Sequence, residues 1–286
     1  MTNNTLNLIK RAEIITEALP YFSRYANKTV VIKYGGNAMN NETILRTILA
    51  DTAALKIVGV NPILVHGGGP EINGQLDRLG IKSEFKNGLR VTSPEAMDVV
   101  QMTLAGKVNK NIVAALCTLG VRAVGLCGKD SNLIEAEKLV GDYGQVGRIT
   151  QINAHILDTL KADFVPVIAS IGADKAGAGY NINADLAAGA IGGALKAEKL
   201  LFLTDIDGIL FDPSNPTSLI KQISVKEIEG LIKKGIIKGG MLPKVEACVA
   251  AIKAGIKEVL ITNGTTPHAI LLELFTDEGL GTMITR

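Results

Sequence analysis

Thr29-Val-Val-Ile-Lys-Tyr-Gly-Gly36 reads as a strand with an unusual end. Its β-branched residues run without polar alternation, as in a strand buried on both faces of a sheet. The run then delivers a cation, Lys33, and two glycines, where an ordinary strand end needs neither a charge nor so much bare backbone. The same form, an apolar run closing on glycine or on a glycine and acid loop, recurs in NPILVHGGG (61–69), RAVGLCGKD (122–130), DFVPVIASIG (163–172), EKLLFLTDIDG (198–208) and IKEVLITNG (256–264).

Between these runs the apolar spacing predicts helices over Glu42–Gly59, Pro70–Leu79, Pro94–Leu119, Gln151–Lys161, Ala184–Leu195, Val225–Lys234 and Met241–Ala254. Strands alternating with helices imply an α/β fold, a mostly parallel sheet covered on both faces. NLIEAEKLV and GQVGRITQIN, flanking GDYG, have the texture of a hairpin inserted between α/β units over 132–153. The glycine- and alanine-rich Ile171–Gly179 suggests a boundary between two lobes of one sheet, an N-terminal lobe over 28–172 and a C-terminal lobe over 173–286. Ahead of both, Leu8, Ala12, Ile15, Leu19 and Phe22 share one helical face, with Pro20 set to kink the path. That helix, over 1–27, has no evident sheet of its own to cover, so its own lobe and another subunit both stand as packing partners.

Composition narrows the function. With 286 residues, 47% hydrophobic, 20% charged, 4% aromatic and no Trp, the core is aliphatic and rich in small side chains. A formal charge of +2 and the absence of basic runs interleaved with aromatics give no reason to expect nucleic acid. Cys117, Cys127 and Cys248 form no C-x-x-C pair and read as free thiols. No apolar run has the length of a membrane span, and the charges at Lys10, Arg11, Glu13 and Glu17 break up any signal-peptide core, so a soluble protein that stays where it is made is expected.

In open α/β sheets ligands gather outside the carboxyl ends of the strands, where the glycine clusters fall. His66-Gly67-Gly68-Gly69 precedes a helix opened by Pro70 and Glu71, which turns backbone N–H groups toward an anion; a tight strand-to-helix turn explains the glycines equally well. Standard phosphate motifs fail: AVGLCGKD (123–130) lacks the first glycine and the closing Ser or Thr of a Walker loop, and no G-x-G-x-x-G follows a strand. The lysines say more. Lys244, in GGMLPKVEA (239–247), falls just inside a helix start, where a cation opposes the helix dipole unless an anion shares the spot. An anion between Lys33 and Lys244 would relieve both, while a Lys244 pointing to solvent is the plainer alternative. Asp185 has two readings: a first-turn acid behind the N-cap Asn183, or a carboxylate that orients the two ammonium groups. Arg90, in the polar loop of KNGLRVTSPEA (86–96), suits a bidentate clamp on a carboxylate and is otherwise a surface arginine. His66, His155 and His268 show no metal-ligand spacing, and no Ser, His and Asp set stands out.

VIKYGG, HGGGP, NGLRVT, NINADLAA, LTDIDGIL and GGMLPKVEA occur in an order that closely resembles the amino-acid kinase family, and the match covers essentially the whole chain. The resemblance implies a three-layer α/β/α sandwich, with the N-terminal lobe binding an acyl amino acid and the C-terminal lobe ATP. It implies transfer of the ATP γ-phosphoryl group to the side-chain carboxylate of N-acetyl-L-glutamate, the second step of arginine biosynthesis. Lys33 and Lys244 would stabilise the transition state with Asp185 organising them, and Gly36 and Gly68 would give backbone N–H groups to the phosphoryl oxygens. Gly68, Gly69, Arg90 and Asn181 would bind the substrate, and Asp205, Gly208, Leu210, Ile236, Lys238 and Met241 would line the nucleotide site. Mg²⁺ would arrive on the nucleotide, without dedicated protein ligands.

GLCGKDSNLI (125–134) and EALPYFSRYANKTVVIKYGG (17–36) are similar to an arginine-sensitive, hexameric branch of the family found in cyanobacteria and plastids. That likeness implies a trimer of dimers joined by the N-terminal helix and an arginine site near Lys221, His268, Glu278 and Gly279. It also implies a PII-type nitrogen regulator as a partner, and a location in bacterial cytoplasm or plastid stroma. Asp207 and Tyr180 depart from the family's pattern without replacing a residue of proposed chemical role. Two rivals remain: a family member acting on aspartate, glutamate or a nucleoside monophosphate, and a non-catalytic sensor. Lys33, Lys244 and Asp185 argue against the sensor, since binding alone needs no transition-state charges.

Overall fold

The structure, a computed structural model, describes residues 3–35, 41–212, 214–238 and 241–286. In chain order, helix α1 (Asn3–Tyr25) leads into β1 (Thr29–Tyr34), α2 (Glu42–Ile57), β2 (Asn61–His66) and α3 (Gly69–Arg78). A small hairpin, β3 (Glu84–Lys86) with β4 (Leu89–Val91), precedes α4 (Pro94–Gln101), a π-helical turn over Met102–Val108 and α5 (Asn109–Thr118). Next come β5 (Ala123–Cys127), β6 (Ile134–Lys138), β7 (Gly147–Ile152), α6 (His155–Leu160), β8 (Val165–Ala169), β9 (Ile171–Ala173) and β10 (Gly179–Asn181). The chain continues through α7 (Ala184–Ala194), β11 (Lys199–Thr204), β12 (Gln222–Ser224), α8 (Val225–Lys233), α9 (Met241–Lys253), β13 (Glu258–Asn263), α10 (Ala269–Leu274) and β14 (Thr282–Thr285).

An eight-stranded sheet in the order β12-β14-β13-β11-β1-β2-β8-β5 forms the middle layer. From β13 to β5 every neighbouring pair is parallel, and β14 enters antiparallel to β13. The alternation of β1 assigns its side chains to two cores. Val31 joins Ala187, Ile191 and Ala251 of α7 and α9, whereas Val30 and Ile32 join Leu49 and Ile112 of α2 and α5. Lys33 shares the parity of Val31 and therefore emerges on the α7 face. That face is closely packed because α7 is built from small residues: a Cβ on Gly192 would come within 2.6 Å of Ile256, and one on Gly193 within 2.6 Å of Ala254.

The six runs quoted above hold strands β1, β2, β5, β8, β11 and β13, so the expected layered α/β fold is the observed one. The inserted hairpin is β6 and β7, placed in a separate four-stranded sheet ordered β10-β9-β6-β7. Two expectations need correction. The helix expected from Gln151 starts at His155, because Gln151 and Ile152 pair with β6, and the run through Gly172 stops as β8 at Ala169 before β9 leaves for the second sheet. No described helix is long and apolar enough to cross a membrane.

Candidate active site

β1 and β2 run side by side to a common end, with Lys33 opposite Val65 and Tyr34 opposite His66, which brings their glycine tails together. Lys33 Nζ lies 2.9 Å from Asp185 Oδ1, and the two side chains are only 13% and 27% exposed, so the pair sits inside a crevice. Asp185 is held there by local chemistry: Asn183 caps α7 by accepting from the amides of Asp185, at 2.9 Å, and Leu186, at 3.1 Å. The lysine stem folds back over Gly35, where an added Cβ would be 3.2 Å from Nζ and 3.8 Å from the Gly67 amide nitrogen. Gly67 in turn faces Ala184, with a Cβ there 3.5 Å from that of the alanine. The lysine, its carboxylate and the glycine loop thus share one corner. Gly36 lies outside the described residues.

Gly68 is the N-cap of α3, whose first turn carries Gly69 and Pro70, so the helix opens toward the same corner. From the other side Arg90 of β4 donates to the Gly69 carbonyl at 3.3 Å and to the Ser83 hydroxyl, with its guanidinium 4.7 Å from the Phe85 ring centroid. It is 6% exposed, and burial lowers its pKa from the ordinary value. Among the described residues no carboxylate forms an ion pair with it. Asn181 of β10 donates to Thr92 Oγ1 at 3.2 Å, tying the second sheet to the residues that follow Arg90. The four expected substrate-binding residues therefore fall on elements that meet.

Lys244, in the first turn of α9, pairs with Asp205 Oδ1 at 3.1 Å at the end of β11. The sequence suggested Asp185 as the organiser of both lysines; here Asp185 holds Lys33 and Asp205 holds Lys244. Both pairs lie near Cys248 of α9, whose buried thiol is pushed up by desolvation and by Asp185 and drawn down by Lys244. A cavity of about 440 Å³ beside Asp205 is lined by all six residues expected around a nucleotide: Asp205, Gly208, Leu210, Ile236, Lys238 and Met241. Asp207 and Asn263 also line it, joined by a hydrogen bond of 2.8 Å. Asn263 was not foreseen, although it ends β13 just before Gly264 and so obeys the same strand-end rule as Lys33.

At the opposite end of β11 a smaller cavity, about 220 Å³, lies among α1, Lys221, Glu278 and Gly279. Lys221 Nζ donates to the Gly279 carbonyl at 2.9 Å, and the buried Lys199, also lining the cavity, pairs with Glu258 at 3.1 Å. His268 is elsewhere: it adopts a left-handed conformation, with φ of 60°, at the N-cap of α10, its Nδ1 2.7 Å from Asp51 Oδ1. Three of the four residues expected around arginine are thus together and the fourth is not.

Lysine–carboxylate pairs at the carboxyl ends of parallel strands, beside a cavity, are a setting suited to an enzyme that moves a phosphoryl group. Comparison with known proteins agrees. The profile of the amino acid kinase family matches residues 28–263. The acetylglutamate kinase of Heliobacterium modesticaldum is 49% identical, covering 98% of this chain and 99% of its own length. That of Nostoc punctiforme is 49% identical over 99% and 98%. Among solved structures, N-acetylglutamate synthase from Neisseria gonorrhoeae, complexed with coenzyme A and N-acetyl-glutamate, superposes with a TM-score of 0.83 at 27% identity over 96% of this chain. This chain spans 63% of that synthase chain, less than two thirds of its length. The same synthase complexed with coenzyme A and L-arginine superposes with a TM-score of 0.82 at 26% identity, over 96% of this chain and 65% of the synthase's. The chain belongs to the amino acid kinase family, as a phosphotransferase.

Proposed function

We propose that the enzyme transfers the γ-phosphoryl group of ATP to the side-chain carboxylate of N-acetyl-L-glutamate, a step of arginine biosynthesis, with residues 28–172 forming the substrate lobe and 173–286 the nucleotide lobe. The observation that carries this reading is a pair of cations flanking one glycine loop, Lys33 beside Gly67 and Arg90 against Gly69. Arg90 offers a buried guanidinium that forms no salt bridge among the described residues, with Asp77 acting on it only from farther off, suited to the α-carboxylate of an amino acid. Lys33 and the opening turn of α3 offer a second position, suited to the reacting carboxylate and the phosphoryl group it receives. Two anion positions suit a dicarboxylic acid, and the acetylglutamate kinases at 49% identity point to an acylated one.

A side-chain carboxylate is ionised at neutral pH, with an ordinary pKa of about 4.3, so it attacks as it stands and needs no general base. One of its oxygens forms the new bond to the γ-phosphorus while the bond to the bridging oxygen of ADP breaks. What the protein supplies is position and charge. The Lys33 ammonium and the N–H groups of the Gly36 and Gly68 loops stabilise the equatorial oxygens, and Lys244, reaching in from the nucleotide side, stabilises the departing phosphate. Asp185 and Asp205 hold the two lysines in place. Mg²⁺ would arrive on the nucleotide, held by phosphates and water, with the carboxylates of Asp205 and Asp207 in the cavity wall as outer oxygen donors. Bound there, it supplies neutralisation of the phosphate charge.

The smaller cavity is the proposed arginine site. Glu258, Asp277 and Glu278 suit a guanidinium and an amino group, Lys199 and Lys221 suit a carboxylate, and the structurally similar gonococcal synthase is known in complex with L-arginine. Trapping of the acyl phosphate with hydroxylamine tests the reaction. N-acetylglutamate should yield hydroxamate far more efficiently than glutamate or aspartate, and comparable yields from either free amino acid would overturn the substrate assignment.

A further inference from the structure

We infer that His66, held by Asn109, is a positioning residue that aims the Gly68 N–H into the phosphoryl crevice. This rests on the reaction proposed above. His66 closes β2, is wholly buried, and has both ring nitrogens engaged: Nδ1 lies 2.8 Å from the carbonyl oxygen of Gly67, and Nε2 lies 3.1 Å from Nδ2 of Asn109. Asn109, equally buried, follows directly on the π-helical turn. Its Nδ2 also faces the carbonyl oxygens of Val167, at 2.9 Å, and Leu126, at 3.3 Å, while its Oδ1 receives Lys110 Nζ at 3.0 Å.

Carbonyl oxygens only accept, so the asparagine atom facing them is its nitrogen; that group shares two hydrogens among three neighbours and accepts none, so the Nε2 facing it is bare. The imidazole hydrogen is therefore on Nδ1 and is donated to Gly67. Burial, which pulls the His66 pKa down to about 4, keeps the ring in this neutral form at ordinary pH. In a trans peptide the C=O and the following N–H point to opposite sides. Drawing the Gly67 oxygen toward the imidazole thus turns the Gly68 N–H the other way. Two successive glycines have no side chains to hold such a peptide plane, and a donor contributes to transfer in proportion to how firmly it is aimed in advance. His66 fixes the plane, and Asn109 fixes His66.

The first test needs no variant: nitrogen NMR of the side chains, simplified by the chain's three histidines, should show His66 as the Nδ1–H tautomer. Observation of the Nε2–H tautomer overturns the inference. Asn109→Asp removes the donor opposite Nε2 and should move the hydrogen to that nitrogen, leaving a lone pair against the Gly67 oxygen. Its kcat should fall by about 10- to 100-fold with the KM for ATP within about twofold, the loss expected of a misaimed group. His66→Phe, which fills the space and donates nothing, should lose as much. A folded Asn109→Asp enzyme with a switched tautomer and full kcat would refute the positioning role. The Gly68 amide resonance supplies a readout independent of turnover: addition of MgADP with aluminium fluoride should shift it in the unaltered protein, and a response of the same size in Asn109→Asp again refutes the role. If the unaltered enzyme makes no hydroxamate from N-acetylglutamate, the reaction fails instead, and the tautomer and amide measurements judge the peptide plane separately.

Discussion

Lys33 stands on an otherwise fully buried strand and meets one carboxylate, Asp185, in a crevice it shares with Gly35 and Gly67. Replacing either lysine by methionine keeps most of the stem's packing and deletes the charge, so Lys33→Met and Lys244→Met should each lower kcat by about 10²–10³ while circular dichroism shows an unchanged fold. Near-normal turnover in either enzyme would remove that lysine from the transition state. Arg90→Lys keeps a cation but loses the planar fork that reaches Ser83, Gly69 and substrate together; the KM for N-acetylglutamate should rise about 10- to 100-fold, the worth of a charged hydrogen bond, with the KM for ATP nearly constant. A rise confined to ATP would relocate Arg90 to the nucleotide. Legibility at this scale follows local cost. Lys33 was readable because a cation at a buried strand end needs a reason, and Asp185 because Asn183 visibly caps its helix. The partnership of Lys244 with Asp205 was not, since it joins residues far apart in the chain through a meeting of β11 and α9 that no local pattern encodes. His66 carried no spacing signal, because its partner Asn109 reaches it only through the packing of α5 under β2.

The π-helical turn between α4 and α5 sets Leu104 against Gly68: a Cβ on that glycine would lie 2.5 Å from Leu104 Cδ2. Leu104 is 1% exposed and packed among Ile72, Leu76 and Val100, so it has little space into which to retreat. Gly68→Ala should therefore cost about 1–3 kcal/mol by overpacking. The double variant with Leu104→Ala should lose less than the sum of the single losses, because the cavity left by the leucine accepts the new methyl. Urea denaturation of the four proteins measures this, and strict additivity would show that the two side chains do not compete for space. Long elements with sustained period, such as α2, α7 and α9, were readable to within a residue or two at their ends. Strands β9, β10 and β12 have only three residues each, too few for alternation to register, and exist because neighbouring strands offer them partners.

For the whole molecule the unsettled surface is α1. Leu8, Ile14, Ile15 and Leu19 are 57%, 65%, 62% and 51% exposed, whereas the end of the helix is anchored: Tyr25 is 2% exposed and Phe22 meets Phe275 edge-to-face at 4.9 Å. The stripe for which the sequence left its own lobe and another subunit both open is thus two parts, an anchored end and a bare length. The bare length fits the proposed ring of dimers, in which the same helix of another dimer covers it. Tyr21, bonded to Asp277 at 2.7 Å, puts the anchored end in the wall of the proposed arginine site. Deletion of residues 1–19 spares the anchors and should give an active dimer whose inhibition by arginine is weakened. Light scattering and arginine titration decide it: a hexamer, or a dimer inhibited like the full chain, would separate assembly from control. The position of β14 has its own consequence for synthesis. It lies between β12 and β13, and in the large sheet β12 pairs with β14 alone. A growing chain emerges in order, so Gln222–Ser224 leaves the ribosome with its sheet neighbour still unmade, and Ile223, later 5% exposed, waits in water through the synthesis of α8, α9, β13 and α10. The C-terminal end of the large sheet is consequently a late closure, completed when Thr282–Thr285 slides between strands already made, and until then it presents an open apolar edge to whatever binds nascent chains.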